Sequence, residues 1–266
     1  MRSISQIREE YGRIRRFDTA ALEAFAERCE KDDRAGVRKI AASALRAAEA
    51  HKKELQRQAA MYAYERQCRE KGYERICGID EAGRGPLAGP VVAGAVILPE
   101  DCEIDGLNDS KKLSPKRREE LFDEIREKAV SVGVGIVGPG RIDEINILQA
   151  DYEAMCEAIG TLQVMPQVLL NDAVTIPQVL IEQIPIVKGD AKSMSIAAAS
   201  VIAKVTRDRL MTEYDAVYPE YGFAQHKGYG TAAHYEALKK YGPCPIHRRS
   251  FLTNLSDHGI SLIGSL

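Results

Sequence analysis

The apolar run Ile76–Ile79 ends directly in two adjacent carboxylates, Asp80 and Glu81. The turn Ala82–Pro90 follows, and then a second apolar run, Val91–Leu98. Carboxylates are disfavoured within strands but common just past their ends, so the pair marks the end of a buried strand. The glycines and prolines behind it mark a turn into a neighbouring strand. Val130, Val132, Val134 and Ile136 alternate with small residues and predict a third strand. Between the second and third strands, SPKRREELFDEIREK predicts a helix opened by Ser114, with Pro115 at its first position. Ile145, Leu148, Tyr152, Met155, Ile159 and Leu162 form a helical stripe. Gln167–Leu170, running into Asn171 and Asp172, reads as a buried strand and Ile184–Val187 as another. Ser193–Arg209 is an alanine-rich helix. Strands first, then alternating helix and strand, predict an α/β domain with a mixed sheet.

Four carboxylates sit where a charge is expensive: Asp80 and Glu81 after the first strand, Asp172 after the fourth, and Asp190 before the alanine-rich helix. Taken singly, each has an ordinary explanation: strand-end solvation for the first three and helix capping for Asp190. Taken together they suggest a site, because open α/β sheets gather ligands at strand ends. Carboxylates so gathered repel unless they hold cations, and an oxygen-only donor set suits Mg²⁺ or Mn²⁺. Two such ions, roughly 3.5–4 Å apart, serve phosphodiester hydrolysis. In the adjoining turn, Arg84 offers a planar fork for phosphate between Gly83 and Gly85, which allow close backbone approach.

Charge leaves the choice of partner open. The chain has a formal net charge of −2; residues 1–70 hold 16 Lys+Arg against 12 Asp+Glu, and the remainder 21 against 27. Net acidity speaks against nucleic acid, unless the cations are gathered on one face and metal masks the carboxylates. Residues 1–70 contain no proline and are rich in helix formers. Val37, Ile40, Ala41, Ala44 and Ala48 recur at helical spacing, continued by Leu55, Ala59 and Tyr62; Leu22 and Phe25 mark a shorter helix capped by Asp18 or Thr19. The six cysteines form no CxxC pair, which argues against a zinc site and a disulfide framework. With no apolar run near the ~18 residues of a membrane span, and no apolar secretory core near the N-terminus, a cytoplasmic protein is expected.

Four segments resemble a known family: GIDEAGRGPLAGPVVAGAVIL (Gly78–Leu98), DSKKLS (Asp109–Ser114), KGDAKSMSIAAASVIAKVTRD (Lys188–Asp208) and HKGYGTAAH (His226–His234). They are similar in order and wording to the type 2 ribonucleases H, specifically bacterial ribonuclease HII. The resemblance implies a ribonuclease H-like fold, with a mixed five-stranded sheet flanked by helices and a C-terminal helical portion. It implies a catalytic domain over 71–266 and leaves 1–70 as a helical N-terminal extension. It also implies a metal-holding catalytic quartet of Asp80, Glu81, Asp172 and Asp190, with two divalent ions, Mg²⁺ or Mn²⁺. The implied activity is hydrolysis of RNA paired with DNA and incision of duplex DNA at single embedded ribonucleotides, giving 3′-hydroxyl and 5′-phosphate ends. Gly83, Arg84 and Gly85 match the turn that reads the ribose 2′-hydroxyl, and Tyr229 matches the tyrosine that stacks on the following sugar. Lys111 and Arg207 are expected phosphate contacts, the alternative for each being a solvated surface charge. Lys227, Arg248 and Arg249 would add a basic rim. His226, His234 and His247 invite a general-base role, which metal-activated water makes unnecessary; hydrogen bonding or a duplex contact is expected instead. The alternatives are a ribonuclease HIII-like enzyme, against which the helical N-terminus speaks, and a non-catalytic hybrid-binding module, against which the intact quartet speaks. A monomer is expected, with no membrane contact and no protein partner identified.

Overall fold

The computed structural model describes residues 2–15 and 18–253. The last stretch of the expected catalytic domain, 254–266, lies outside the described residues. The proline-free N-terminal sequence forms three helices: α1 (Ile4–Arg13), α2 (Thr19–Glu30) and α3 (Ala35–Met61). Asp18 caps α2, its carboxylate accepting from the Ala21 amide at 2.9 Å. Leu22, Phe25, Val37, Ile40, Ala44 and Ala48 close a small core of their own. Of the stripe's expected continuation, Leu55 is half-buried and Ala59 exposed, while Tyr62 is buried in the second unit's core. The chain divides into two compact units after Ala60, ten residues before the expected boundary. The reason is the short helix α4 (Ala63–Glu70), whose Glu65 and Cys68 are buried within the second unit.

The second unit is built on a sheet of five strands in the order β3-β2-β1-β4-β5. β1 (Ile76–Ala82) pairs antiparallel with β2 (Val91–Ile97), which pairs antiparallel with β3 (Ser131–Val137). On its other side β1 runs parallel to β4 (Val168–Asp172), and β4 parallel to β5 (Glu182–Ile186). Between β2 and β3 lies α5 (Pro115–Lys128), capped by Ser114 with Pro115 in its first turn, as its sequence predicts. Helix α6 (Pro139–Gly160) covers one face of the sheet and α7 (Met194–Val217) the other, so β2 is buried along its whole length. Glycines permit the close approach: a Cβ on Gly78 would lie 2.0 Å from the backbone of Ser195 in α7, and one on Gly135 1.9 Å from the Ala154 carbonyl in α6. The short α8 (Phe223–His226) and α9 (Ala232–Tyr241) follow α7 and pack around Phe223, Leu238 and Ile246. Among the described residues, no helix is long and apolar enough to cross a membrane. All six cysteines are free.

Candidate active site

The carboxylates lie where the central ladders run out. Pairing of β1 with β4 ends at Ile79↔Asn171, whereas pairing with β2 continues through Asp80↔Gly94 and Glu81↔Ala93. Asp80 and Glu81 are therefore within the β1–β2 ladder rather than past the strand's end. Successive strand residues point to opposite faces, which separates their roles. Asp80, Asp172 and Asp190 each offer an oxygen, all within 4.8 Å of one another. Glu81 is not in that close set, although its charge acts on Asp80. Asp190 sits in a one-turn 3₁₀ helix, Gly189–Ala191, and does not cap α7. Ser193 does, accepting from the Ile196 amide at 3.2 Å, so Asp190 is free to face the cluster.

Gathering these groups away from water shifts their titration. Burial first, then Glu81 and Asp172, hold the Asp80 carboxyl well above the usual carboxylate range, with Ser200 opposing. Burial raises Glu81 as well; Arg84 opposes it and Asp172 reinforces it. Burial, Asp109 and Asp172 raise Asp190, with Lys111 opposing. Lys111 reaches in with Nζ 3.8 Å from Asp190 Oδ2. Its partial burial lowers its pKa, but the surrounding aspartates outweigh that and raise it. A carboxylate-rich, oxygen-only cluster of this kind fits a hard divalent cation.

Beside the cluster, the turn after β1 is held from beneath by two buried arginines. Arg248 donates to the carbonyls of Gly89 and Arg84, each at 2.9 Å, and to Gly83 at 2.5 Å. Arg207 donates to Pro90 at 3.0 Å, Ala88 at 3.2 Å and Lys227 at 2.9 Å, which ties the turn to the loop carrying Tyr229. Both arginines are 0% exposed. Arg207 therefore has no face to offer a phosphate and is not a solvated charge; Arg248 likewise leaves the basic rim. Burial of a guanidinium is tolerable only when its donors are spent, and here backbone carbonyls spend them. Gly83 owes its identity to this packing: its φ is +99°, and a Cβ there would lie 2.1 Å from Arg207 Nε. At Gly85 a Cβ would meet nothing within 4 Å, so that side of the turn is open. Tyr229 is 46% exposed, with Arg207 Cζ 5.9 Å from its ring centre. It is not a core tyrosine.

Three positions beyond the expected set belong to this neighbourhood. Ser200 lies beside Asp80 and lowers its pKa, and Asp109 lies beside Asp190 and raises its pKa. The third is Asp151, in α6 and fully buried, with Oδ2 3.5 Å from Arg84 Nε and neither oxygen hydrogen-bonded. Burial, then Glu81, push its carboxyl up to about 8 against the pull of Arg84. Asp109 was available within the DSK segment, whereas nothing in the helical stripe distinguishes Asp151. His234 and His247 are structural: both are buried and face each other, Nε2 to Nε2, at 3.0 Å.

The family model for ribonuclease HII matches residues 77–254, and that for the ribonuclease HII N-terminal domain matches 3–69. Ribonuclease HII of Lachnoclostridium phytofermentans is 69% identical over 185 residues, covering 70% of this chain and 73% of its own. That of Clostridioides difficile is 53% identical over 241 residues, covering 90% and 94%. Among solved structures, ribonuclease H2 from Pyrococcus horikoshii matches with a TM-score of 0.56 and 34% identity, over 66% of this chain and 93% of that one. The ribonuclease HII in a PCNA complex from Archaeoglobus fulgidus matches with a TM-score of 0.55 and 30% identity, over 67% and 94%.

Proposed function

The chain belongs to the ribonuclease HII family and is a ribonuclease H-type endonuclease with the corresponding fold; on that premise we propose that it also incises duplex DNA on the 5′ side of single embedded ribonucleotides, using two divalent ions. The observation that carries the chemical half of this reading is the convergence of Asp80, Asp172 and Asp190 within 4.8 Å. With Glu81 they form the donor set for Mg²⁺ or Mn²⁺. When bound, such ions supply an activated water and stabilise the leaving oxygen. The chain's own residues do the rest. The amide of Gly189 donates to Asp172 Oδ1 at 2.7 Å and fixes that carboxylate's orientation. Lys111, 3.8 Å from Asp190, brings a cation to the rim where a scissile phosphate would lie.

The specificity half rests on the turn and Tyr229. The 2′-hydroxyl is what lets a protein tell RNA from DNA at one site. The open side of Gly85 leaves room for a ribose against the backbone, and Arg84, 42% exposed, offers a fork to the adjoining phosphate. Tyr229 presents a ring face for the next sugar and a phenolic hydroxyl for a hydrogen bond. The testing experiment uses matched duplexes containing no, one or many ribonucleotides, with Mg²⁺ or Mn²⁺. Cleavage 5′ of a lone ribonucleotide, leaving 3′-hydroxyl and 5′-phosphate ends, is expected. Cleavage of long hybrids alone would overturn the single-ribonucleotide reading.

A further inference from the structure

The loop that carries Tyr229 is held by the half-buried His226 and by the buried pair His234 and His247, whose protons are assigned by their partners. His226 Nδ1 accepts from the Gly228 amide at 3.1 Å, so Nε2 carries the proton it gives to the Tyr221 carbonyl at 2.7 Å. His247 Nδ1 faces two donors, the Cys244 amide at 2.9 Å and the Cys244 thiol at 3.1 Å; the Cys244 carbonyl is further away at 3.3 Å. The His247 proton therefore sits on Nε2, aimed at His234 Nε2 3.0 Å away. His234 accepts there and carries its own proton on Nδ1, which it gives to the Tyr229 carbonyl at 3.0 Å. Burial pushes both His234 and His247 down to about 4, so these two rings are neutral at ordinary pH.

The loop needs such a hold. Lys227, a residue with a Cβ, has φ +53°, and such a backbone persists only when its surroundings over-determine it; Gly228 beside it, at +84°, takes up the turn freely. Each loop residue is tied separately: the Lys227 carbonyl to Arg207, the Gly228 carbonyl to the Leu87 amide at 2.9 Å, and the Tyr229 carbonyl to His234 and to the Thr231 amide at 2.8 Å. His234 is 0% exposed and His247 3%, so neither touches substrate. We propose that His234 is a positioning residue for Tyr229. Its Nδ1–H, held in that tautomer by His247, fixes the Tyr229 carbonyl and the presentation of its ring, and so sets the preference for a single ribonucleotide over a long hybrid. This rests on Tyr229 reading the junction, as proposed above.

Two polar substitutions separate the ends of the imidazole. In His234→Asn the amide takes the place of Nδ1 and keeps a donor at the Tyr229 carbonyl. In His234→Gln it reaches the Nε2 position and keeps only the link to His247. Each loses one hydrogen bond, so their melting temperatures should fall alike. The readout is kcat/KM on a one-ribonucleotide duplex divided by kcat/KM on a long hybrid. His234→Asn should hold that ratio near the parent value, and His234→Gln should lower it about fivefold to tenfold, the worth of one hydrogen bond expressed as a ratio. Equal ratios in the two variants overturn the proposal. Tyr229→Ala is measured alongside. If it lowers the ratio and His234→Gln does not, only the positioning role fails; if Tyr229→Ala leaves the ratio unchanged, the junction-reading role fails and takes the proposal with it. Should either His234 variant not fold, His247→Phe removes the donor that sets the His234 tautomer while keeping an aromatic ring; a lowered ratio supports the proposal and an unchanged one overturns it.

Discussion

Burial raises the pKa of Asp80, Glu81 and Asp190, and Asp172 adds to each rise. Asp172→Asn keeps an oxygen for the Gly189 amide while removing the charge. Its melting temperature should equal or exceed the parent's, and cleavage at saturating Mg²⁺ should fall by at least about a hundredfold. Near-parent cleavage in single-turnover assays would falsify the carboxylate assignment. Asp151 gives a second test with a definite sign. Its folded-state pKa is about 8 against an ordinary 3.8. Above pH ~4 the unfolded chain releases a proton that the native state retains, so native stability is penalised increasingly up to about pH 8. Asp151→Asn should therefore stabilise the protein by a few kcal/mol near pH 8, with the gain shrinking to nothing below pH ~4. A stability difference independent of pH would refute this. The clustered aspartates were legible because Asp80 and Asp172 end apolar runs and Asp190 precedes the alanine-rich helix. Asp151 was not, because a single acid within an amphipathic helix looks solvated until the fold puts Arg84 and Glu81 beside it.

At the level of elements, the turn between β1 and β2 behaves as two halves. Gly83 faces inward, at φ +99° against Arg207; Gly85 faces open space. Gly83→Ala should lower the melting temperature markedly, combining backbone strain of about 1–3 kcal/mol with overpacking of similar size. Gly85→Ala should leave the melting temperature within a degree or two of the parent and, if the ribose packs on the open side of the turn as proposed, lower single-ribonucleotide cleavage at least severalfold. Calorimetry and cleavage rates on both variants check this, and a destabilised Gly85→Ala would reverse the assignment of the two faces. Periodicity placed every strand and helix of the second unit's sheet, and Ser114-Pro115 gave the start of α5, but β1 runs three residues beyond Ile79, α6 begins six residues before Ile145 and α7 runs eight beyond Arg209. It failed where a local pattern has a distant cause. Asp80 and Glu81 looked like residues past a strand end, but β2 continues the ladder beside them. Arg207, near the end of the alanine-rich helix, was expected as a phosphate contact or a solvated surface charge. Its partners are carbonyls of Ala88, Pro90 and Lys227, which only the tertiary fold brings to it.

At the scale of the whole molecule, the boundary after Ala60 decides what a truncation can test. Residues 61–70 belong energetically to the second unit. Tyr62 donates from its hydroxyl to the Cys102 carbonyl at 2.6 Å, and buried Glu65 accepts from Ser193 Oγ at 2.6 Å and the Ser195 amide at 2.9 Å. Ser193 caps the helix that begins just after Asp190, so Glu65 supports one wall of the carboxylate cluster. Deleting 1–60 should leave a cooperatively melting protein that still cleaves hybrids. Deleting 1–70 should cost several kcal/mol more, because it strips buried partners from α7 and leaves their polar groups unpaired. The shorter deletion also isolates charge, since residues 1–60 hold 14 Lys+Arg against 10 Asp+Glu and the remainder 23 against 29. If the N-terminal helices help to hold the duplex, their removal should flatten the plot of log affinity against log salt by about 0.9 for each phosphate no longer neutralised. That slope, measured by duplex binding in Ca²⁺ so that hydrolysis does not interfere, is the deciding quantity. An unchanged slope with lower stability would assign the N-terminal unit to folding; an unchanged slope with unchanged stability would direct it toward some partner other than the duplex.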